Sequence, residues 1–599
     1  GSRSPRLMNP GWLTTSPRTA CAGILFALLL LAGGGCGSAH EAEQAADTLH
    51  LTTMRIRGFD PAHTVDEASV RAAGLVYEGL LQYSYWTRPY RVEPLLAAAM
   101  PELSADGKTW RFLLRSGIHF ADDPCFVANG GKGRELVAAD VAYSIRRIAD
   151  TKVGSSGYWI YRGKIVGLDE FRAASQSEEP TDYEYPVAGL EVVGPHELAI
   201  HLNEPYPQLP WVLAMPYAFI VPREAVEYYG TDFVNHPVGT GPYVLAAYRQ
   251  NYRYEYRANP KWAETRRVDE MPAPDGAATG VALPQIPRIV CSVVGDPATA
   301  WLMFMAGQLD LTEISRDQWD SIMAPDQTLR PELVAKGIVL SKAPQMAVSY
   351  TSFNMDDPVV GNNKLLRQAL TCAFDFDAWQ TFQNGRVEKA NGPVPPGVAG
   401  HATNPPPYSF DLARARELLA AAGYPGGKDP ATGRRLKLTL EIGQADNPEA
   451  RQAAELLASF MEKIGVVVEP SYNNWPAFLK KLERREAQMF SVSWLADYPD
   501  AQNFLQLFAS ENSSPGPNRA NYHNPEFDRL YRIILALPPS PERDDACRAA
   551  QTILMEDCPW IITGHARAFN VRQARLQDYQ RHDFSWGKEK YWRLAPTVP

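Results

Sequence analysis

Between Leu436 and Trp494 the apolar residues switch repeatedly between two spacings, and that alternation restricts the fold more than any other feature of the chain. Leu436, Leu438, Leu440 and Ile442 alternate with Lys437, Thr439 and Glu441, the period of two that a half-buried strand requires. Asn447-Pro448-Glu449 follows, supplying an N-cap, a proline at the first helical position and an early acid. Ala453, Leu457, Phe460 and Ile464 then recur at helical spacing until Gly465 ends the helix. Val466-Val467-Val468 reads as a short buried strand. Pro476 opens a helix carrying Phe478, Leu479 and Leu482, and Met489 to Trp494 is a further strand. Strand, helix, strand, helix and strand in succession make an α/β unit. Just upstream, Asp411 caps a helix with Leu412, Ala415, Leu419 and Ala422 on one face, stopped by Gly423 and Pro425.

Earlier segments read differently. Trp110 to Arg115, Leu190 to Val193 and Leu198 to Leu202 have strand character and are bounded by Asp106-Gly107 and Gly194-Pro195. At 599 residues the chain exceeds what one hydrophobic core accommodates. Two α/β lobes with an inserted, strand-richer subdomain account for the whole.

Charge and missing motifs narrow the function. The net charge is −9 and no run of lysine or arginine goes beyond a pair, which excludes a nucleic-acid partner. No phosphate-binding loop, H-E-x-x-H or G-x-S-x-G occurs. Gly239-Thr240-Gly241 begins like a dinucleotide fingerprint, but Pro242 follows and the third glycine is absent. The eleven histidines include no pair at i, i+4, so no helical metal site is expected, nor any cofactor. His565, beside Gly564, is the nearest to a catalytic candidate, and a lone histidine is ordinarily structural.

The N-terminal region carries an address. Arg18 precedes an apolar run from Cys21 to Ala32, then Gly33-Gly34-Gly35-Cys36, the pattern of a secretory signal too short to span a bilayer. The small residues before Cys36 resemble a lipobox, with Gly33 where leucine is usual. Residues 1–36 are thus expected to be a signal peptide, Cys36 the lipidated residue and 37–46 a flexible polar tether. Five widely spaced cysteines remain, Cys125, Cys291, Cys372, Cys547 and Cys558, and an odd number leaves at least one thiol free.

A collinear series of segments resembles the extracytoplasmic solute-binding proteins of the oligopeptide and dipeptide class, family 5. It runs through Tyr77-Glu78-Gly79-Leu80, Ser104-Ala105-Asp106-Gly107-Lys108-Thr109-Trp110, Ala139-Asp140-Val141 and Pro237-Val238-Gly239-Thr240-Gly241-Pro242-Tyr243. It continues through Gly307-Gln308-Leu309-Asp310, Phe353-Asn354, Ala422-Gly423-Tyr424-Pro425, Ala496-Asp497-Tyr498-Pro499-Asp500 and Asn524-Pro525-Glu526-Phe527-Asp528. The resemblance implies a periplasmic-binding-protein-like two-lobe α/β fold of type II, in its three-domain peptide-binding class. Domain I would combine 47–85, 205–290 and 560–599, domain II would be 86–204, and domain III 291–559.

What this resemblance implies about function is capture of a peptide or peptide-like solute and its delivery to the permease subunits of an ABC importer. The protein would act as a monomer in the periplasm or at the cell surface, held to the membrane through Cys36, with no catalytic residues. The Trp-x-x-Asp pattern makes Asp497 the partner of the ligand's α-ammonium and places Trp494 and Tyr498 beside it. Tyr158 is the domain II aromatic nearest to the family's pattern, and Thr64 to Ser69 would reach the cleft. An arginine that holds a ligand carboxylate in some members is replaced by Ser491, and Ile561-Ile562-Thr563 stands where an aromatic cluster is common. Two rival readings remain: a peptide-binding sensor or chaperone uncoupled from uptake, and an envelope hydrolase using Asp497 or His565.

Overall fold

Three β-sheets carry the architecture of the computed structural model, which describes residues 47–64, 66–265, 282–445 and 447–595. The expected signal peptide, Cys36 and the tether lie outside the described residues. The first sheet has the order Thr48–Thr53, Arg288–Val293, Arg253–Ala258 and Tyr243–Arg249, its first pair parallel and the others antiparallel. A second, fully antiparallel sheet orders Glu102–Leu103, Thr109–Leu113, Glu197–His201 and Leu190–Gly194. Its turns fall at the Asp106-Gly107 and Gly194-Pro195 positions where the sequence predicts them.

The large sheet has eight strands and contains the α/β unit predicted from periodicity. Lys437–Ile442 pairs in parallel with both Val467–Tyr472 and Met489–Leu495, and the helices Pro448–Glu462 and Trp475–Glu483 make the crossovers. Asn447 and Asn474 cap those helices by accepting from the free backbone N–H groups of the first turn. Leu438, Leu440, Leu457, Phe460 and Ile464 meet in one buried cluster, as their spacing requires.

Strand Trp560–Gln573 runs through the centre of this sheet. Its first part pairs with Ala347–Phe353 and its last part with Ile338–Pro344 and Leu311–Glu313. This fourteen-residue element, grouped by the sequence reading with the first domain, is thus hydrogen-bonded throughout to the large sheet. The chain leaves the large sheet only beyond Gln573. There Arg575 pairs with Asp310, Nη2 to Oδ2 at 2.8 Å, while His50 N–H donates to the same carboxylate at 2.8 Å. Asp310 is 1% exposed, so both segments that cross between the sheets are tied to the first strand by one buried ion pair.

Two of the collinear sequence segments meet in space. Gly239 and Gly241 lie against the Val76 carbonyl so closely that a Cβ at either position would overlap it. Thr240 donates to Glu78 at 2.9 Å, Trp262 Nε1 donates to the other Glu78 oxygen at 2.8 Å, and Asn259 donates to Gly241 C=O at 2.9 Å. The glycines therefore permit a close backbone approach.

The strand-rich insertion is fastened by Asp60 and Arg147, whose carboxylate and guanidinium meet in two bonds of 2.7 Å with both side chains buried. His63 Nδ1 lies 3.0 Å from the same carboxylate. Burial pushes the Asp60 carboxyl up, yet hydrogen bonds from Arg147 and His63 override it and hold it far below the usual carboxylate range. Arg147→Met should lower the unfolding free energy by about 3–5 kcal/mol, because it strands a buried carboxylate. Urea unfolding followed by tryptophan fluorescence reads the loss, and a second change, Asp60→Leu, should recover most of it. The contribution of the Asp60 charge is complete above about pH 4 and is lost as the pH falls through the depressed folded value. His63, raised mainly by its hydrogen bond with Asp60, contributes fully below 6.5 and loses its effect as the pH rises through its folded value.

A candidate ligand cleft

The turn after strand Met489–Leu495 is organised by one buried amide. Asn503 is 0% exposed on the short helix Ala501–Leu505, whose N-cap is Asp500, accepting from Gln502 N–H at 2.8 Å. Asn503 Oδ1 accepts from Trp494 Nε1 at 3.1 Å and from Asp497 N–H at 3.0 Å, and its Nδ2 donates to Asp497 Oδ2 at 2.9 Å. The helix following Pro499 is thus capped by Asp500, leaving the Asp497 carboxylate for another role.

That carboxylate is half-buried. Burial raises its pKa, and the single opposing influence is the Asn503 hydrogen bond. Among the described residues no lysine, arginine or histidine pairs with it. Three phenols from the other side of the molecule feel its charge: after burial itself, Asp497 contributes to raising the pKa of Tyr83, Tyr206 and Tyr217. Tyr83 belongs to strand Leu81–Tyr83 and donates to Trp211 C=O at 3.0 Å, with its ring stacked on Trp211 at 5.8 Å between centroids. Tyr217 Oη lies 3.0 Å from Ser156 Oγ, and its ring packs so tightly on Gly157 that a Cβ there would strike it. Tyr83, Tyr206 and Tyr217 thus lie near enough to Asp497 for its charge to act on them, and all three come from the N-terminal half of the chain.

The predicted site residues divide. Trp494 and Asp497 are brought together through Asn503. Tyr498 turns inward, donating to Gln502 Oε1 at 2.5 Å, and Gln502 Nε2 in turn donates to Tyr531. Tyr158 lies buried within the insertion, its hydroxyl bonded to Asp169 and its ring under the Arg172 guanidinium at 4.3 Å. Thr64 and Ser69 are also buried and bond within their own turns, to Pro61 C=O and Asp66. Ser491 meets Thr351 Oγ1 across the sheet at 2.7 Å.

The aromatic residues within reach of the Asp497 charge were not singled out by sequence. Tyr206 and Tyr217 sit in proline-containing loops without periodicity, and Asn503 is one polar residue in a short helix. Only the nearness of Tyr83 to the Tyr-Glu-Gly segment was a usable signal. His565 is 1% exposed with its two ring nitrogens 3.1 Å from the carbonyls of Ala347 and Gly392, and burial lowers its pKa to about 4. Neither nitrogen is left for a substrate. The five described cysteines are all buried free thiols.

Comparison with known proteins places this geometry. A family model described as bacterial extracellular solute-binding proteins, family 5, matches residues 91–516. The chain is 26% identical over 546 residues to heme-binding protein A of Haemophilus influenzae, covering 90% of each chain. It is 25% identical over 550 residues to the dipeptide-binding protein of Escherichia coli, covering 90% of this chain and 92% of that one. Among solved structures it resembles the ABC transporter-associated periplasmic binding protein DppA from Helicobacter pylori in complex with the peptide STSA. That likeness has a TM-score of 0.66 and 23% identity, and covers 92% of this chain and 99% of the other.

A half-buried carboxylate with no cation beside it is costly to keep charged. Asp497→Asn keeps an acceptor for Asn503 and removes the charge, so thermal unfolding at pH 7 should show a gain of about 1 kcal/mol. Because the folded pKa is raised, that gain should shrink as the pH falls through it and vanish below the unfolded value. An unchanged or lowered melting temperature at pH 7 would contradict the desolvation.

Proposed function

The chain belongs to the bacterial extracellular solute-binding proteins of family 5 and has the type II periplasmic peptide-binding fold, and from that premise we propose that it captures short peptides or peptide-like solutes with a free amino group and hands them to an ABC importer. The observation that carries this reading is the half-buried Asp497 carboxylate, held by Asn503, with no cation beside it among the described residues and with Tyr83, Tyr206 and Tyr217 within reach of its charge. A charged acid in such surroundings gains most from a charge-assisted hydrogen bond to a cationic head group.

Capture needs no covalent chemistry. The ammonium of the solute compensates Asp497, Tyr83, Tyr206 and Tyr217 exclude water, and backbone groups of the cleft take the peptide units, which keeps selection among side chains broad. Ligand favours the closed arrangement by as much as it binds that arrangement better. The crossing segments tied by Asp310 and Arg575 are the natural hinge, with the first sheet and the insertion on one side and the large sheet on the other. Relatives covering nine-tenths of the chain are named for a heme in one case and a dipeptide in another. The unpaired acid favours the amino-bearing solute over an anionic one.

Export by the N-terminal signal and lipidation at Cys36 complete the proposal, with release of solute to the permease subunits at the membrane. Metabolic labelling with palmitate should mark the protein and fail with Cys36→Ser. For the site, Asp497→Ala should weaken binding of a free-amino tripeptide at least a hundredfold by calorimetry. Equal affinity of the unsubstituted protein for the N-acetylated tripeptide would sink the assignment.

A further inference from the structure

A cavity of about 470 Å³ shares a wall with the Asp497 turn. Trp211, stacked on Tyr83, and Asp500, three residues beyond Asp497, both line it. Its other walls come from two distant parts of the chain: Tyr90, Leu103 and Trp110 on one side, Pro538 and Pro539 on the other. The volume suits a small organic molecule, and the lining has the usual mixture of apolar and aromatic surface with few polar groups.

Those polar groups define what fits. Arg543 is 3% exposed; its Nη2 donates to Asp500 Oδ1 at 2.7 Å and its Nε to Ile534 C=O at 2.9 Å. Among the described residues no acceptor meets Nη1, although the residue lines the cavity. Nη1 is therefore a guanidinium donor still open to solvent on a residue lining the cavity, and a ligand oxygen can take the place of water there. Asp544 and Arg91 also line the space, so two acids and two bases leave no net sign. Specificity therefore comes from the unmet donor and the aromatic walls.

We infer that this cavity is a second binding site, which takes an aromatic or branched apolar group bearing a carbonyl or carboxylate oxygen that accepts from Arg543. The group has two possible sources, the C-terminal residue of the captured solute or a separate aromatic acid. Either occupant touches both sides of the cleft and so favours their approach. The inference goes beyond amino-group capture at Asp497 and does not require it.

Two exposed lining positions allow a test without disturbing the core: Ala399→Trp and Leu103→Trp narrow the cavity from opposite sides. Calorimetry is run on the full chain with indole-3-acetate, with 3-methylindole, and with the tripeptides Ala-Ala-Trp and Ala-Ala-Ala. Saturable indole-3-acetate binding, at least tenfold tighter than 3-methylindole and weakened tenfold by either substitution, supports the site with a free occupant. A preference for Ala-Ala-Trp over Ala-Ala-Ala that either substitution removes supports it with the solute's own side chain. If neither substitution changes binding of either probe class, the inference is overturned. Asp497→Asn should weaken both tripeptides and leave indole-3-acetate unaffected; its failure with the cavity results intact would sink the proposed function alone.

Discussion

A half-buried carboxylate whose one side-chain hydrogen bond comes from an amide is the feature around which the candidate cleft is arranged. Asp497 sits where strand Met489–Leu495 gives way to a turn, and Asn503 locks that turn with three hydrogen bonds. Left charged and unpaired, the acid disfavours the state in which the two halves of the chain enclose it. In the proposed function a cationic guest would reverse that balance, so that one group would supply affinity and couple binding to closure.

The rest of the fold holds the two faces in a relation that permits this. The pair of Asp310 and Arg575 ties both crossing segments to the first strand. Asp60 and Arg147 make the strand-rich insertion part of the same body as the first sheet. The close approach of Gly239 and Gly241 to Val76 seats the loop that leads into strand Tyr243–Arg249. Each contact lies between segments far apart in sequence, and each is a buried polar arrangement whose loss exposes an unmet partner.

Much of this was legible beforehand. Alternation at 436–442, the Asn-Pro-Glu cap at 447–449 and the apolar stripe from Ala453 to Ile464 became strand, cap and helix at those positions, because local periodicity and capping depend on neighbours within a few residues. The Trp-x-x-Asp segment likewise brought Trp494 and Asp497 to one turn. Tyr498, adjacent in the chain, points the other way, into hydrogen bonds with Gln502 and thence Tyr531. Adjacency in sequence does not decide facing. Tyr158 was carried over from the family's domain II aromatic, and aromatics fill cores as readily as they line clefts; here its hydroxyl and ring engage Asp169 and Arg172.

By itself the sequence determined the α/β class, the order of the elements near the C-terminus and the absence of motifs for common catalysis. These follow from residue type and short-range spacing. Tertiary structure alone decided that strand Trp560–Gln573 belongs to the large sheet, that Tyr83, Tyr206 and Tyr217 come within reach of the Asp497 charge, and that Arg543 lines a cavity. Those facts depend on which distant segments pack together, and burial sets the electrostatics of each group only once that packing exists.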